Sequence, residues 1–142
     1  MATISLENLT PEIKRHLSVI GKRLYDKQGK NLFSNITVST AEDVIFEHYV
    51  SVAAQNIVGA IAQFVTGSTA TTITVSGSRW TQPVTASVEK AARSYALLFA
   101  VGEYLGMTHP ELAEKYYKDA QNTMATIVTT AFYKEPPAAA NS

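Results

Sequence analysis

The stretch SVEKAARSYALLFAVGEYLG at residues 87–106 decides the fold of this chain, together with the stretch MTHPELAEKYYKDAQNTMATIVTTAFYK that follows it at residues 107–134. In both stretches apolar residues recur every three or four positions, which predicts two long amphipathic helices. Small residues are frequent in both, and they allow close helix contact. Because only a short turn separates the two stretches, we expect an antiparallel helical hairpin between Ser87 and Lys134.

The turn of this hairpin has its own sequence signals. Gly106 is typical of a helix C′ position, where glycine adopts φ > 0 without steric cost. Thr108 and Glu111 have the spacing of a capping box, and Met107 and Leu112 have that of a hydrophobic staple. These signals predict that one helix ends at Leu105 and that the next begins directly after Thr108.

Two more helices are predicted in the N-terminal half. The first begins at Thr10-Pro11-Glu12, with a capping residue, a proline at the first helical position and an acidic first turn, and it fades near Asp26. The second begins at the capping box Ser39-Thr40-Ala41-Glu42 and continues to Val65.

A β-hairpin is predicted between the second and third helices, at about residues 69–82. Residues 71–75 form a β-branched run, residues 76–78 are turn material, and residues 79–82 are expected to pair back as a second strand. Trp80, the single tryptophan, has two interpretations. It is an interface residue presented on the hairpin, or it folds the hairpin back onto the bundle.

These elements together predict a mostly α fold. We expect a bundle of about four helices with a long C-terminal antiparallel helix pair and one inserted β-hairpin. Residues 1–134 are expected to form a single domain, and residues 135–142 a flexible tail.

Composition excludes several classes of protein. Twelve basic and twelve acidic residues cancel, so no net charge selects nucleic acid or an anionic membrane. The absence of cysteine excludes disulfides and thiolate metal sites, and suits a reducing compartment. The N-terminus lacks the pattern of a signal peptide, and no stretch approaches the roughly 18 apolar residues of a membrane span. We expect a soluble intracellular chain without membrane contact.

Catalytic and metal-binding motifs are lacking in the sequence. His16, His48 and His109 fall on three different predicted helices, and none is spaced with a carboxylate as in the common metal motifs. No serine lies in a Gly-x-Ser-x-Gly sequence and no glycine-rich phosphate loop is present. We therefore predict a non-enzymatic protein without cofactor or metal, although an enzyme whose polar groups converge only in the fold stays an open alternative.

Aromatic residues on the two long helices allow another function. At helical spacing they are usually core, but they also suit a ligand pocket in a small ligand-binding or regulatory helical protein. The residues concerned are Tyr95, Phe99, Tyr104, Tyr116, Tyr117, Phe132 and Tyr133.

Charge is unevenly distributed along the N-terminal half. Residues 1–34 hold six basic residues against three acidic ones, a net of +3, and residues 35–66 hold three acidic residues and no basic one, a net of −3. Two interpretations are open, namely complementary surfaces on neighbouring copies or solvated helix faces. A weaker candidate is a salt-sensitive contact of the basic segment with DNA phosphates. Its residues would be Lys14, Arg15, Lys27 and Lys30, with Lys22 and Arg23.

The order of elements resembles the small head–tail connector proteins of tailed bacteriophages and prophages, also called adaptor or head-completion proteins. Those have an N-terminal helix, a second capped helix, a variable loop or hairpin, and a long helical pair with a short tail. The local residue pattern also resembles that of these proteins, at residues 91–98, Ala-Ala-Arg-Ser-Tyr-Ala-Leu-Leu, and at residues 112–117, Leu-Ala-Glu-Lys-Tyr-Tyr. The resemblance covers roughly residues 10–134.

The resemblance implies a structural protein of the phage neck. Such adaptors form cyclic oligomers, commonly of about twelve copies, through heterologous interfaces between portal and tail. They lengthen the DNA channel, and their partners are the portal and a tail or second neck protein, in a virion assembled in the host cytoplasm. Candidate interface residues are Ile73, Val75, Arg79, Trp80, Glu42, Asp43, Glu47, Lys22, Arg23, Phe132 and Tyr133.

Overall fold

The structure is a computed structural model that describes residues 2–28 and 43–132, with side chains described at residues 2–20 and 43–132. The predicted capping box at residues 39–42 and the predicted tail at residues 135–142 lie outside the described residues.

The described residues form four α-helices and a small sheet, so the predicted mostly α fold class is confirmed. The chain runs in order through strand β1 (Ala2–Ser5), helix α1 (Thr10–Gln28), helix α2 (Asp43–Ala60), a 3-10 helix (Ala62–Phe64), strands β2 (Val65–Ser68) and β3 (Thr72–Val75), helix α3 (Gln82–Gly106) and helix α4 (Pro110–Phe132).

Helices α3 and α4 form the predicted antiparallel pair, and their contact is the most extensive between any two elements described. Gly102 of α3 shows how close they lie. A Cβ atom at this position would be 3.2 Å from Cε1 of Tyr117 and 3.5 Å from Cβ of Tyr116. The absence of a side chain at residue 102 thus lets α4 place an aromatic ring directly over the α3 backbone.

The ends of the helical pair differ from the prediction. Gly106 is the last residue of α3 and has no positive φ, and the following Met107 is also right-handed helical. The first backbone bond of α4 runs from Ala113 N–H to the carbonyl of His109. His109 rather than Thr108 is therefore at the N-cap position, and Pro110 takes the first helical position that suits it. The Thr108 hydroxyl instead lies 2.8 Å from Nδ1 of His109.

The β-structure is also different, because it is a three-stranded antiparallel sheet with the order β1-β3-β2. The predicted strand at residues 71–75 is confirmed as β3, which is central. The predicted partner strand at residues 79–82 is wrong, since α3 begins at Gln82 and accommodates Pro83 in its first turn. The true partners are β2, predicted as the end of the second helix, and β1 at the N-terminus.

Sheet and helices share one hydrophobic core. Ile4 pairs with Ile73 across β1 and β3, and both side chains are fully buried. They join buried residues of all four helices, among them Leu17, Phe46 and Val88. Since a small sheet is marginal by itself, this packing is what stabilises it.

Candidate interaction surfaces

Strand β1 is fastened to α3 along its outer edge by two charged side chains. The carboxylate of Glu89 accepts a hydrogen bond from Ser5 N–H at 2.8 Å. The guanidinium of Arg93 donates to the carbonyls of Ser5 and Glu7 at 3.1 and 2.9 Å, and forms a 3.1 Å ion pair with Glu12 of α1. An edge strand normally presents free backbone groups to other chains. Here α3 occupies two of them.

A cluster of aromatic residues lies at the C-terminal end of α4. Phe64 lies between the rings of Trp80 and Phe132, with centroid distances of 5.6 and 5.0 Å. The guanidinium of Arg79 lies 5.3 Å from the Phe64 ring centroid and donates a 2.8 Å hydrogen bond to the carbonyl of Ala131. Arg79 therefore caps the C-terminus of α4, where a cation is favoured by the helix dipole.

Three of the predicted interface side chains lie inside the subunit. Ile73 and Val75 are fully buried on the central strand, and Trp80 is 8 % exposed. As the alternation of β3 directs Ile73 and Val75 into the core, neither side chain is available to a neighbouring copy. Trp80 folds against Phe64, which corresponds to the second of its two interpretations. Phe132, by contrast, is 36 % exposed.

The predicted complementary charges meet partly within the chain. Lys14 of the basic segment forms an ion pair with Asp43 of the acidic segment. Both therefore help to hold α1 against α2, and their predicted contacts with another molecule stay predictions. Arg15 and Glu47 are exposed. The other predicted contact residues lie outside the described side chains, namely Lys22, Arg23, Lys27, Lys30, Glu42 and Tyr133.

The tyrosines of the proposed aromatic pocket fill the space between helices. The Tyr95 hydroxyl accepts a 3.0 Å hydrogen bond from Nδ2 of Asn56 and its ring stacks on Phe99. The Tyr116 hydroxyl lies 3.0 Å from Nε2 of His16, which joins α4 to α1. Burial raises the pKa of Tyr95. With both rings buried and hydrogen-bonded, they act in the described structure as core residues.

A third tyrosine forms a polar contact at the edge of this core. The Tyr117 hydroxyl donates to a carboxylate oxygen of Glu103 across the α3–α4 seam. Burial, followed by the bond to Glu103, raises the pKa of Tyr117, and burial raises that of Tyr49 beside it. Tyr117 therefore remains a protonated donor at neutral pH, with Glu103 as its acceptor.

The sequence did not predict the surface at the end of the bundle that contains the turn between α3 and α4. We call this surface the hairpin end. Met107 in this turn is 69 % exposed, so the predicted staple does not bury it. Helix α2 begins at the same end, because Phe46 packs 5.2 Å from the ring of Tyr104. Its first turn exposes Val44, at 72 %, and Ile45.

A groove runs along the hairpin end. It has a volume of about 480 Å³ and carries two carboxylates on mostly apolar and aromatic walls. Its lining residues are Glu103, Gly106, Met107, Pro110, Ala113, Glu114 and Tyr117. Exposed apolar side chains beside charged ones are typical of an interaction site. The capping signals in the sequence predict the turn. They do not predict that Met107 in this turn is exposed to solvent.

Two other grooves give weaker evidence of a binding site. One of about 350 Å³ lies between the loop at residues 6–11 and the start of α2, where Glu7 and Glu47 contribute charge. The other, of about 420 Å³, lies beside Trp80 and Thr85. The indole nitrogen of Trp80 and the hydroxyl of Thr85 have no hydrogen-bond partner among the described residues, but both atoms are sealed from solvent. A ligand in the groove would not reach them in this conformation.

Within residues 2–20 and 43–132, no group of three or more histidine, aspartate or glutamate side chains is placed to hold a metal ion. None of the described helices is long and apolar enough to cross a membrane.

Comparison with known proteins does not assign the chain to a family. No protein-family model matches it, and neither the curated proteins nor the solved structures contain a match.

Proposed function

We propose that this chain is a structural subunit of a phage or prophage neck, which assembles as a ring between portal and tail and extends the DNA channel. The proposal follows from the order of elements. After strand β1, a first helix, a second helix, a short β excursion and a long helical pair follow one another. This is the order of helices that the resemblance to head–tail connector proteins implies.

The contacts of the charged side chains also support a structural role for the chain. Glu12, Glu89 and Arg93 fix β1 and α1 to α3, while Arg79 caps α4. In each case the charged group joins elements of the same subunit. A rigid unit of this kind suits an assembly in which many copies repeat one geometry.

The alternative, a small ligand-binding or regulatory protein, would use Tyr95 and Tyr116. In the described structure their hydroxyls are engaged by Asn56 and His16. A ligand between these helices would have to break both contacts, so this alternative has less support.

Mass photometry and negative-stain electron microscopy test the proposed ring. The full chain is examined alone and with the portal protein encoded in the same genome, at about 1 µM, where a functional contact of ordinary affinity is populated. We expect closed rings, or a ring bound to the portal. Monomers alone in both samples would contradict the proposal.

A further inference from the structure

The hairpin end has the character of a docking surface. Of the five large apolar side chains exposed in the described part of the chain, three are here, namely Val44, Ile45 and Met107. Next to Met107 the groove is anionic, with Glu103 and Glu114 at its rim. A partner for this surface needs an apolar side chain and, near it, a cation.

The same chain presents that combination on α1. The side of α1 that contains Ile13 and Leu17 is buried, whereas Arg15 and Val19, four residues apart, are both exposed. Residues four apart lie on one face of a helix. We call Arg15 and Val19 the outer face of α1.

Two charges of these surfaces, on Arg15 and Glu114, take part in neither of the ion pairs found among the described residues. Lys14 and Arg93 have ion-pair partners in their own chain, Asp43 and Glu12. Arg15 and Glu114 are both exposed. An exposed cation beside an exposed valine and an exposed carboxylate beside an exposed methionine are complementary in both charge and hydrophobicity.

We propose that the hairpin end of one copy binds the outer face of α1 of a second copy. Met107 and Val44 pack against Val19, and Arg15 lies at the groove between Glu103 and Glu114. This inference rests on the proposed ring and names the contact that joins its subunits.

A specific interface at this place would need a patch that extends beyond the named residues. Such interfaces bury about 800 Å² on each partner, which is roughly a tenth of the 8249 Å² surface of this chain. The named residues would be the centre of such a patch. Burial of Val44 and Met107 supplies the driving force, while the charges set the register and make association sensitive to salt.

Sedimentation velocity on the full chain tests this contact with a charge swap. Arg15→Glu and Glu114→Lys each place like charges together, and we expect each to weaken association about tenfold or more. The double variant Arg15→Glu/Glu114→Lys reverses the pair, so its association should return towards that of the wild type. Lys90→Glu, which reverses an exposed cation on α3, is the matched control and should leave association unchanged.

Circular dichroism verifies that each variant retains the wild-type helical content. Weakening by both single variants together with recovery in the double variant would support the inference. If both single variants associate like the wild type, this contact is wrong while the ring proposal stands. If the swap behaves as expected but microscopy shows open chains or dimers, the contact is correct and the ring proposal fails. A wild-type chain that stays monomeric at about 100 µM would overturn the contact itself.

Discussion

At the scale of single residues, Gly102 sets the spacing of the helical pair. A methyl group at this position would stand 3.2 and 3.3 Å from two atoms of the Tyr117 ring. That ring is held by its hydrogen bond to Glu103, so it is not free to turn away. The helix gains close packing here at the expense of the lower helix propensity of glycine.

We expect Gly102→Ala to destabilise the protein. Overpacking costs about 1–3 kcal/mol, which exceeds the gain in helix propensity of about 1 kcal/mol. Gly59 of α2 is the matched control, since nothing lies within 4 Å of a Cβ atom built there. Gly59→Ala should stabilise by about 0.5–1 kcal/mol. Urea unfolding followed by circular dichroism measures the stability of both variants. A Gly102→Ala variant as stable as Gly59→Ala would contradict the expected overpacking against Tyr117.

At the scale of elements, the N-terminal strand depends on a side chain from a distant helix. Arg93 of α3 contacts two carbonyls of the segment at residues 5–7 and the carboxylate of Glu12. A planar guanidinium carries five N–H donors in a fixed geometry that an ammonium group does not reproduce, which makes arginine difficult to replace by lysine here.

We expect Arg93→Ala to loosen β1 and to lower the free energy of unfolding by about 1–2 kcal/mol, with Arg93→Lys intermediate. The amide of Leu6, which donates to the carbonyl of Thr71 at 2.7 Å, should lose protection in hydrogen exchange. Lys90→Ala, an exposed change one turn away in the same helix, is the control. Unchanged protection of Leu6 in Arg93→Ala would show that side-chain packing alone holds the strand.

At the scale of the whole molecule, the sheet and the helices contribute to the same core. Ile4, Ile73 and Val75 of the sheet lie in one continuous cluster with residues of every helix. A domain with a single core of this kind unfolds cooperatively.

We therefore expect one unfolding transition. Trp80 is the single tryptophan and reports on the loop between β3 and α3 by fluorescence, whereas circular dichroism at 222 nm reports on the helices. The two urea curves should coincide. A fluorescence transition at clearly lower urea would indicate that the region of the sheet unfolds first and that its contacts with the bundle are weak.

The helices were predictable because their signals are local. The periodic apolar residues of α3 and α4 lie within a few positions of one another, and the short turn between them leaves an antiparallel pair as the compact arrangement. The exact caps were not predictable, since Gly106 and Thr108 each fit two adjacent positions. In the structure Gly106 is the last residue of α3, and the Thr108 hydroxyl lies beside Nδ1 of His109.

The sequence by itself thus determined the helical class, the long pair and the strand at residues 72–75, all of which depend on neighbours along the chain. Tertiary structure alone decided the sheet partners of that strand, the burial of Trp80, the pairing of Lys14 with Asp43 and the exposure of Met107 at the hairpin end. Each of these depends on the residues that folding brings together, and a pattern read along one segment contains no information about them.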